Sequence, residues 1–252
     1  MDRSVLKALA ILDALSTCPE GMRQTGLARK LGFPVSTTHR LVATLASQGY
    51  VQQDSVSGRY VLGSKIFHLQ AASANRPNLA RTAFPFLRKL ARELDETTNL
   101  SMLSDSRVVY LESVAADRAV GLYAPPGTIA PAHCTAMGKI FLAHSPEAEL
   151  DDWFARNELT PATPFSITDE DILRKHLQEI RLQGYAVDNE EWVAGVRCLA
   201  GPVRDFSGNV IAAISISAPS GRLPQEQVET VAETIVRISA AISGALGYRG
   251  TS

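Results

Sequence analysis

Apolar positions three and four residues apart mark the start of the chain as helical. In residues 4–15, Val5, Leu9, Leu12 and Leu15 line one helix face, Ser4 occupies the N-cap position, and Pro19-Glu20-Gly21 is the stop. A second, short helix over residues 25–31 ends at Gly32, a residue free to take a left-handed C-cap. A third begins only a few residues later and runs over Val35–Ser47, which is helix-turn-helix spacing. Its Leu41, Leu45 and Thr38 can pack inward, while Ser36, Thr37, His39, Arg40 and Thr44 point outward near its start. Residues 49–54 and 59–63 then read as two strands around a turn at Ser55-Val56-Ser57-Gly58, a wing beside the three helices.

Beyond the wing the pattern changes. Residues 65–74 permit a helix, and Asn75-Arg76-Pro77-Asn78 break it. Ala83, Leu87, Leu90 and Leu94 make residues 79–95 a long amphipathic helix. Six strands are predicted at residues 100–104, 108–114, 120–123, 185–188, 195–203 and 210–217. Helices are expected from Cys134, over Glu147–Arg156, over residues 168–183 and over residues 224–246, the last with Pro224 in its first turn. Strands joined mostly by hairpins, with helices segregated from them, predict an α+β domain of the GAF/PAS sensor kind with a six-stranded antiparallel sheet.

Composition narrows the class. The chain has 252 residues, 45% hydrophobic and 20% charged, an ordinary globular balance. No apolar run reaches the length of a membrane span, the first residues have no signal-peptide pattern, and Cys18, Cys134 and Cys198 are too scattered for a disulfide framework. A cytoplasmic location without a membrane partner is the resulting expectation. Residues 1–64 carry seven Lys/Arg against four Asp/Glu, a net +3, so the rest carries −4 of the overall −1. A basic end on an acidic body suits a polyanion-binding module attached to a domain that touches no polyanion.

The candidate chemistry follows that division. Short hydroxyl side chains at the start of the third helix let a duplex backbone approach, its open N–H groups can accept a phosphate, and Arg40 can reach a phosphate or a guanine edge. In the second domain, G-x-S-x-G, Walker A, H-E-x-x-H and Rossmann patterns are all absent. Ser215 and Ser217 share one face of the last strand, with Ile214 and Ile216 on the other, and Cys198 lies on the neighbouring strand. Together with the N–H groups of Ala136 and Met137 at a helix start, they suit a small carboxylate or 2-oxo acid. Other readings stand beside this one: Cys198 as a packed small hydrophobe, His133-Cys134 as a nucleophile pair, zinc held by His133, Cys134, Asp188 and Cys198, and Trp192 as a pocket cap or a packing residue. No metal spacing signature exists, and neither metal nor cofactor is expected. The rival function is a small-acid-processing thiol enzyme using Cys134 or Cys198, with an appended nucleic-acid module.

The run Pro34-Val35-Ser36-Thr37-Thr38-His39-Arg40-Leu41, then Gly49-Tyr50-Val51 and Gly58-Arg59-Tyr60-Val61-Leu62-Gly63, resembles the DNA-binding half of the IclR-type (isocitrate lyase regulator) bacterial transcription factors. Residues 134–139 (Cys-Thr-Ala-Met-Gly-Lys), 184–191 and 195–203 resemble that family's C-terminal half, so the likeness covers nearly the whole chain. Arg204 departs from it, standing where the family usually has an aromatic or His. The resemblance implies a winged helix-turn-helix over residues 1–64, a linker helix over 65–78 used for dimer contacts, and an effector-binding and oligomerisation domain over 79–252. It implies double-stranded operator DNA as partner, with the Val35–Ser47 helix in the major groove and Arg59 at the backbone or minor groove. The expected DNA contacts are Arg3, Ser36, Thr37, Thr38, His39, Arg40, Thr44 and Arg59, and the expected effector contacts are Ala136, Met137, Asp188, Cys198, Ser215 and Ser217. The implied function is a ligand-responsive repressor of a catabolic operon, a homodimer or homotetramer sensing a small organic acid. Residues 135–139, 188–191 and 242–248 look most like the 2-keto-3-deoxygluconate type of sugar-acid regulator.

Overall fold

The computed structural model describes residues 2–73, 79–118 and 122–250, which divide into two compact units, Met1–Arg76 and Pro77–Ser252. The first contains α1 (Arg3–Ser16), α2 (Gln24–Leu31), α3 (Val35–Ser47), a hairpin of β1 (Val51–Gln53) and β2 (Tyr60–Leu62), and α4 (Lys65–Ser73). Ile11, Leu15, Leu27, Leu41, Val42 and Val51 form its core. Gly32 takes the left-handed conformation at φ 66° and ends α2, which allows α3 to start three residues later. The hairpin closes on Asp54, whose Oδ1 accepts from the N–H groups of Val56 and Ser57 and whose pKa is lowered mainly by the Ser57 contacts.

Two expectations for α1 are corrected. Its cap is Asp2, whose carboxylate accepts from Ser4 N at 2.8 Å, so Ser4 lies inside the helix. Its buried face is Ile11, Ala14 and Leu15, and Val5 and Leu9 on the expected face are 54% and 51% exposed. Nine of the fourteen positions in this helix are apolar and they fall on every side of it, so spacing alone does not choose the face.

The second unit is built on one antiparallel sheet in the order β5 (Ile129–Pro131), β4 (Arg107–Val114), β3 (Thr97–Ser104), β8 (Val210–Pro219), β7 (Val196–Arg204) and β6 (Ala186–Asn189). On one face, α5 (Leu79–Leu94) and α9 (Val228–Ala245), the latter preceded by a 3-10 turn at Gln225–Gln227, pack against Leu100, Leu199, Ile214 and Ile216. On the other, α6 (Ala136–His144), α7 (Glu147–Arg156) and α8 (Glu170–Gln183) pack against Val108, Ala200 and Ala213. The third strand differs from expectation. Residues Leu122 and Tyr123 are not strand, residues 119–121 lie outside the described residues, and Ile129–Pro131 forms the edge strand against Arg107–Val109. The predicted break at residues 75–78 also lies outside the described residues.

Gly138 lets α6 lie against the chain that leads into it. A Cβ there would stand 2.2 Å from the Ala132 carbonyl oxygen, and neither backbone can yield.

Candidate DNA-binding and effector sites

In the first unit α3 presents Ser36, His39, Arg40 and Thr44 to solvent, with Thr37 half-buried. It begins behind Pro34 without a side-chain cap, leaving its first N–H groups available to an anion. Thr44 donates its hydroxyl to Arg40 O at 2.9 Å and so can act toward a ligand only as an acceptor. Arg59 is exposed on the wing, its guanidinium reaching Glu20 O at 3.4 Å, and Arg3 is exposed in the first turn of α1. Thr38 is a correction: it is 0% exposed and donates to Pro34 O at 3.2 Å, so its side chain serves the α3 packing face and not DNA. Its position at the inward angle beside Leu41 and Val42 is the reason.

In the second unit the six expected effector residues gather on the α6 face of the sheet, around two adjoining hollows. Asp188, Cys198 and Ser217 line a cavity of about 270 Å³ together with Asn99, Tyr110 and Trp192. Ala136, Met137 and Ser215 line a recess of about 10 Å³ behind it, which shares Tyr110, Asp188, Trp192, Cys198 and Ser217 with the cavity. A recess that size has room for about one water molecule. The α6 N–H groups therefore stand behind the main cavity and not in its wall.

Strand pairing explains the gathering. β3 lies beside β8 with Asn99 opposite Ser215, and β8 lies beside β7 with Ser217 opposite Cys198. Asn99 Nδ2 donates to Ser215 Oγ and to Ser217 Oγ, each at 3.2 Å, and its Oδ1 accepts from Ser113 Oγ at 2.9 Å. Cys198 Sγ also donates to Ser217 Oγ, at 3.3 Å. Ser217 Oγ thus accepts twice from the protein, which leaves its own proton to donate into the cavity. The Tyr110 hydroxyl has no partner among the described residues, and burial raises its pKa, so it stays a donor. Burial, with Glu191 adding to it, lifts the Asp188 pKa to about 7 while its Oδ1 accepts from Glu191 N at 2.8 Å. Near neutrality Asp188 is therefore poised between a protonated donor and a carboxylate. Asn99 and Tyr110 were not singled out from the sequence; the alternation of Asn99 with Thr97 and Ser101 was the only signal there, and it identifies a polar strand face without its partners.

The wall formed by residues 188–192 is held from behind. Lys139, fully buried, donates to Glu191 Oε1 at 2.5 Å and Val187 O at 2.5 Å, and lies 3.3 Å from His176 Nε2. Burial and the Lys139 charge lower the His176 pKa to about 4, so His176 accepts as a neutral ring. All three ammonium protons are then used, and Lys139 is a strut that fixes Glu191 beside Trp192. Glu190 adopts φ 63° at this turn, anchored by Gly195 N donating to its Oε2 at 2.8 Å.

The thiol-enzyme and zinc readings gain nothing from this geometry. His133 points its Nε2 at Thr160 O, 3.0 Å away, and burial raises the Cys134 pKa to about 12 and the Cys198 pKa as well. No thiolate is available at neutral pH. Among the described residues no group of three or more His, Cys, Asp or Glu could hold a metal ion, and no helix is long and apolar enough to cross a membrane.

A winged helix-turn-helix joined to a domain with a small, donor-rich pocket is the plan of a transcriptional regulator with a sensor domain. Residues 71–244 match the family of bacterial transcriptional regulator IclR C-terminal domains, and residues 4–55 match the IclR helix-turn-helix domain. The chain belongs to the IclR family. It is 33% identical over 246 residues to the HTH-type transcriptional regulator XynR of Escherichia coli (98% of both chains), and 32% identical over 243 residues to the HTH-type transcriptional repressor AllR of Klebsiella pneumoniae (96% of this chain, 89% of AllR). The C-terminal domain of the E. coli transcriptional regulator KdgR superposes with a TM-score of 0.61 at 33% identity, covering 68% of this chain and 99% of that one. An IclR homologue from Microbacterium hydrocarbonoxydans, solved with 4-hydroxybenzoate, shares the fold with a TM-score of 0.85 at 24% identity, covering 96% of this chain and 98% of that one. Relatives named as regulators and repressors place this chain among DNA-binding transcription factors and not among enzymes.

Proposed function

We propose that this regulator is a repressor that binds operator DNA through Ser36, Thr37, His39 and Arg40 of α3 and Arg59 of the wing, and that a small organic acid, a sugar acid or 2-oxo acid, controls it from the 270 Å³ cavity. One observation carries the acid reading: Ser217 Oγ accepts from both Asn99 and Cys198, so its proton is left for an acceptor in the cavity. The Tyr110 hydroxyl and protonated Asp188 supply two further donors, a set matched to carboxylate and carbonyl oxygens. The volume lies below the range of drug-sized sites and fits a compact metabolite. The Tyr110, Tyr123 and Trp192 walls take its carbon skeleton. The 4-hydroxybenzoate of the Microbacterium homologue supports an acid as effector and makes aromatic acids the second class to test.

A homodimer or dimer of dimers is the working assembly. Val5, Leu6 and Leu9 on α1 and Phe67 and Leu69 on α4 are apolar and exposed, Phe67 to 68%, which supports burial against a second copy. Control follows if the acid favours one arrangement of the two units over another. The test is thermal stability of the full chain against millimolar sugar acids, 2-oxo acids, dicarboxylates and aromatic acids. A ligand at about a hundred times its Kd adds about 2.7 kcal/mol, a shift of a few degrees. Cys198→Leu fills the cavity and is expected to abolish the shift with DNA binding intact. Loss of DNA binding in the same variant would make Cys198 a structural residue.

A further inference from the structure

A second cleft, of about 660 Å³, lies at the other ends of the strands that carry the acid pocket. Leu103 on β3 and Val210 on β8 line it, whereas Asn99 and Ser217 line the acid pocket; the lining residues are four positions apart on β3 and seven on β8, roughly 13 and 23 Å at strand rise. The helix α6 also runs between them, from Ala136 and Met137 at the recess to His144 at the cleft.

The cleft's charges are uncompensated in a specific way. Arg181, from the last turn of α8, makes no hydrogen bond or ion pair among the described residues. Arg204, from the end of β7, spends one Nη1 proton on Gly208 O at 2.9 Å and pairs with no carboxylate among the described residues. The neighbouring Asp205 forms no ion pair with it among the described residues; its Oδ1 accepts instead from Ser207 N and Oγ and from Asn209 N. Both guanidinium charges reach His144, adding to the burial that lowers its pKa. Two carbonyls near the end of α6 are occupied: Ile140 O faces His144 Nδ1 at 2.9 Å and Phe141 O accepts from Ser145 Oγ at 3.0 Å. Just beyond, α7 starts behind Pro146 without a side-chain cap. A cation at the end of α8 is favourable for the helix by itself, which accounts for Arg181 alone. Arg204 ends a strand, where no helix dipole favours a cation.

We propose that this cleft is a second ligand site, taking the phosphoryl group of a small hydroxylated phosphate monoester. Two planar guanidinium forks and an imidazolium together exceed the roughly four acceptor positions of one carboxylate, whereas the three peripheral oxygens of a phosphoryl group can accept from all of them. Glu149, the carboxylate in the lining, and Asn209 on its rim then pair with hydroxyls of the carbon skeleton. The site is independent of the acid pocket and of the effector proposed for it.

The test titrates the full-length protein, in a phosphate-free buffer at constant ionic strength, with inorganic phosphate and with glycerol 3-phosphate. Melting temperature and the NMR titration of the His144 ring are followed. Both probes are expected to raise the melting temperature, the ester more, and to raise the His144 pKa from below its ordinary value. The double variant Arg181→Gln/Arg204→Gln weakens binding by about tenfold or more, as loss of charged hydrogen bonds requires. Lys175→Gln, an exposed lysine on the same helix, leaves it unchanged. Stabilisation that survives in the double variant, or a His144 ring unmoved by saturating phosphate, overturns the proposal. If the double variant does not fold, the His144 titration of the unaltered protein decides.

Discussion

Helices α3 and α6 both begin beside a proposed binding site, and they do so in opposite surroundings. α3 starts uncapped behind Pro34 and exposes Ser36, His39 and Arg40. α6 starts behind Thr135, whose hydroxyl accepts from Gly138 N at 3.2 Å, and eight of its nine residues are buried. Under the proposed function the two starts serve different partners. An open helix start on a basic unit meets a polyanion along its surface and draws affinity from counterion release. A buried one, behind a small cavity walled by Tyr110 and Trp192, admits only what the protein can surround. On the proposed reading, burial, and not the presence of free N–H groups, separates the DNA-reading start from the one beside the effector cavity.

The contrast can be broken most strongly at its glycines. Gly138→Ala drives a Cβ against Ala132 backbone and is expected to lower stability by more than about 3 kcal/mol. Gly32→Ala, at φ 66° with nothing within 4 Å of the new Cβ, should lose only about 1 kcal/mol. Chemical denaturation of both variants measures this, and equal losses would contradict the packing described for α6. Arg40→Ala sharpens the other side: DNA affinity should fall by about 1–3 kcal/mol, or the salt dependence should lose about one unit of slope if Arg40 meets a phosphate. Acid-induced stabilisation should be unchanged in that variant, since Arg40 lies in the other unit.

A subtler effect comes from Asp188. Its pKa of about 7 lies above the ordinary 3.8, so the folded protein holds that proton more tightly than the unfolded chain, and the associated stability fades as pH rises from about 4 through 7. An anionic ligand prefers the protonated form. Its affinity should fall above pH 7, approaching tenfold per pH unit, and the profile should flatten in Asp188→Asn. Calorimetric titration between pH 6 and about 8.5 checks the sign, and tighter binding at high pH would show that Asp188 does not face the ligand.

Much of this arrangement was legible in the sequence because it is local. The α2–α3 spacing, Gly32 as a C-cap and the shared face of Ser215 and Ser217 follow from helix and strand periods, and the structure has all three. Asn99 was not legible as the hub of the pocket. Its bonds to Ser215 and Ser217 span more than a hundred positions and exist only through the β3–β8 pairing. The edge strand at Ile129–Pro131 is three residues long and contains a proline, too short a run to outweigh the β-rich Val120–Tyr123 pattern. Thr38 shows the two readings apart: helix spacing turns it inward, as its burial on α3 has it, whereas the family resemblance implied a DNA contact. Lys139 shows the converse, a charged side chain that is fully buried because Glu191, Val187 and His176, all distant in sequence, accept its three protons.

The central claim is that the donor set around Ser217 reads an organic acid on behalf of the DNA-binding unit. The most direct measurement compares unaltered protein with Ser217→Ala in the thermal-shift panel, with affinity for operator DNA followed in parallel. The account predicts a dose-dependent rise with one class of acid, a rise reduced by about 1–2 kcal/mol of binding energy in Ser217→Ala, and unchanged ligand-free DNA affinity. No response to any acid, or a full response in Ser217→Ala, would contradict it.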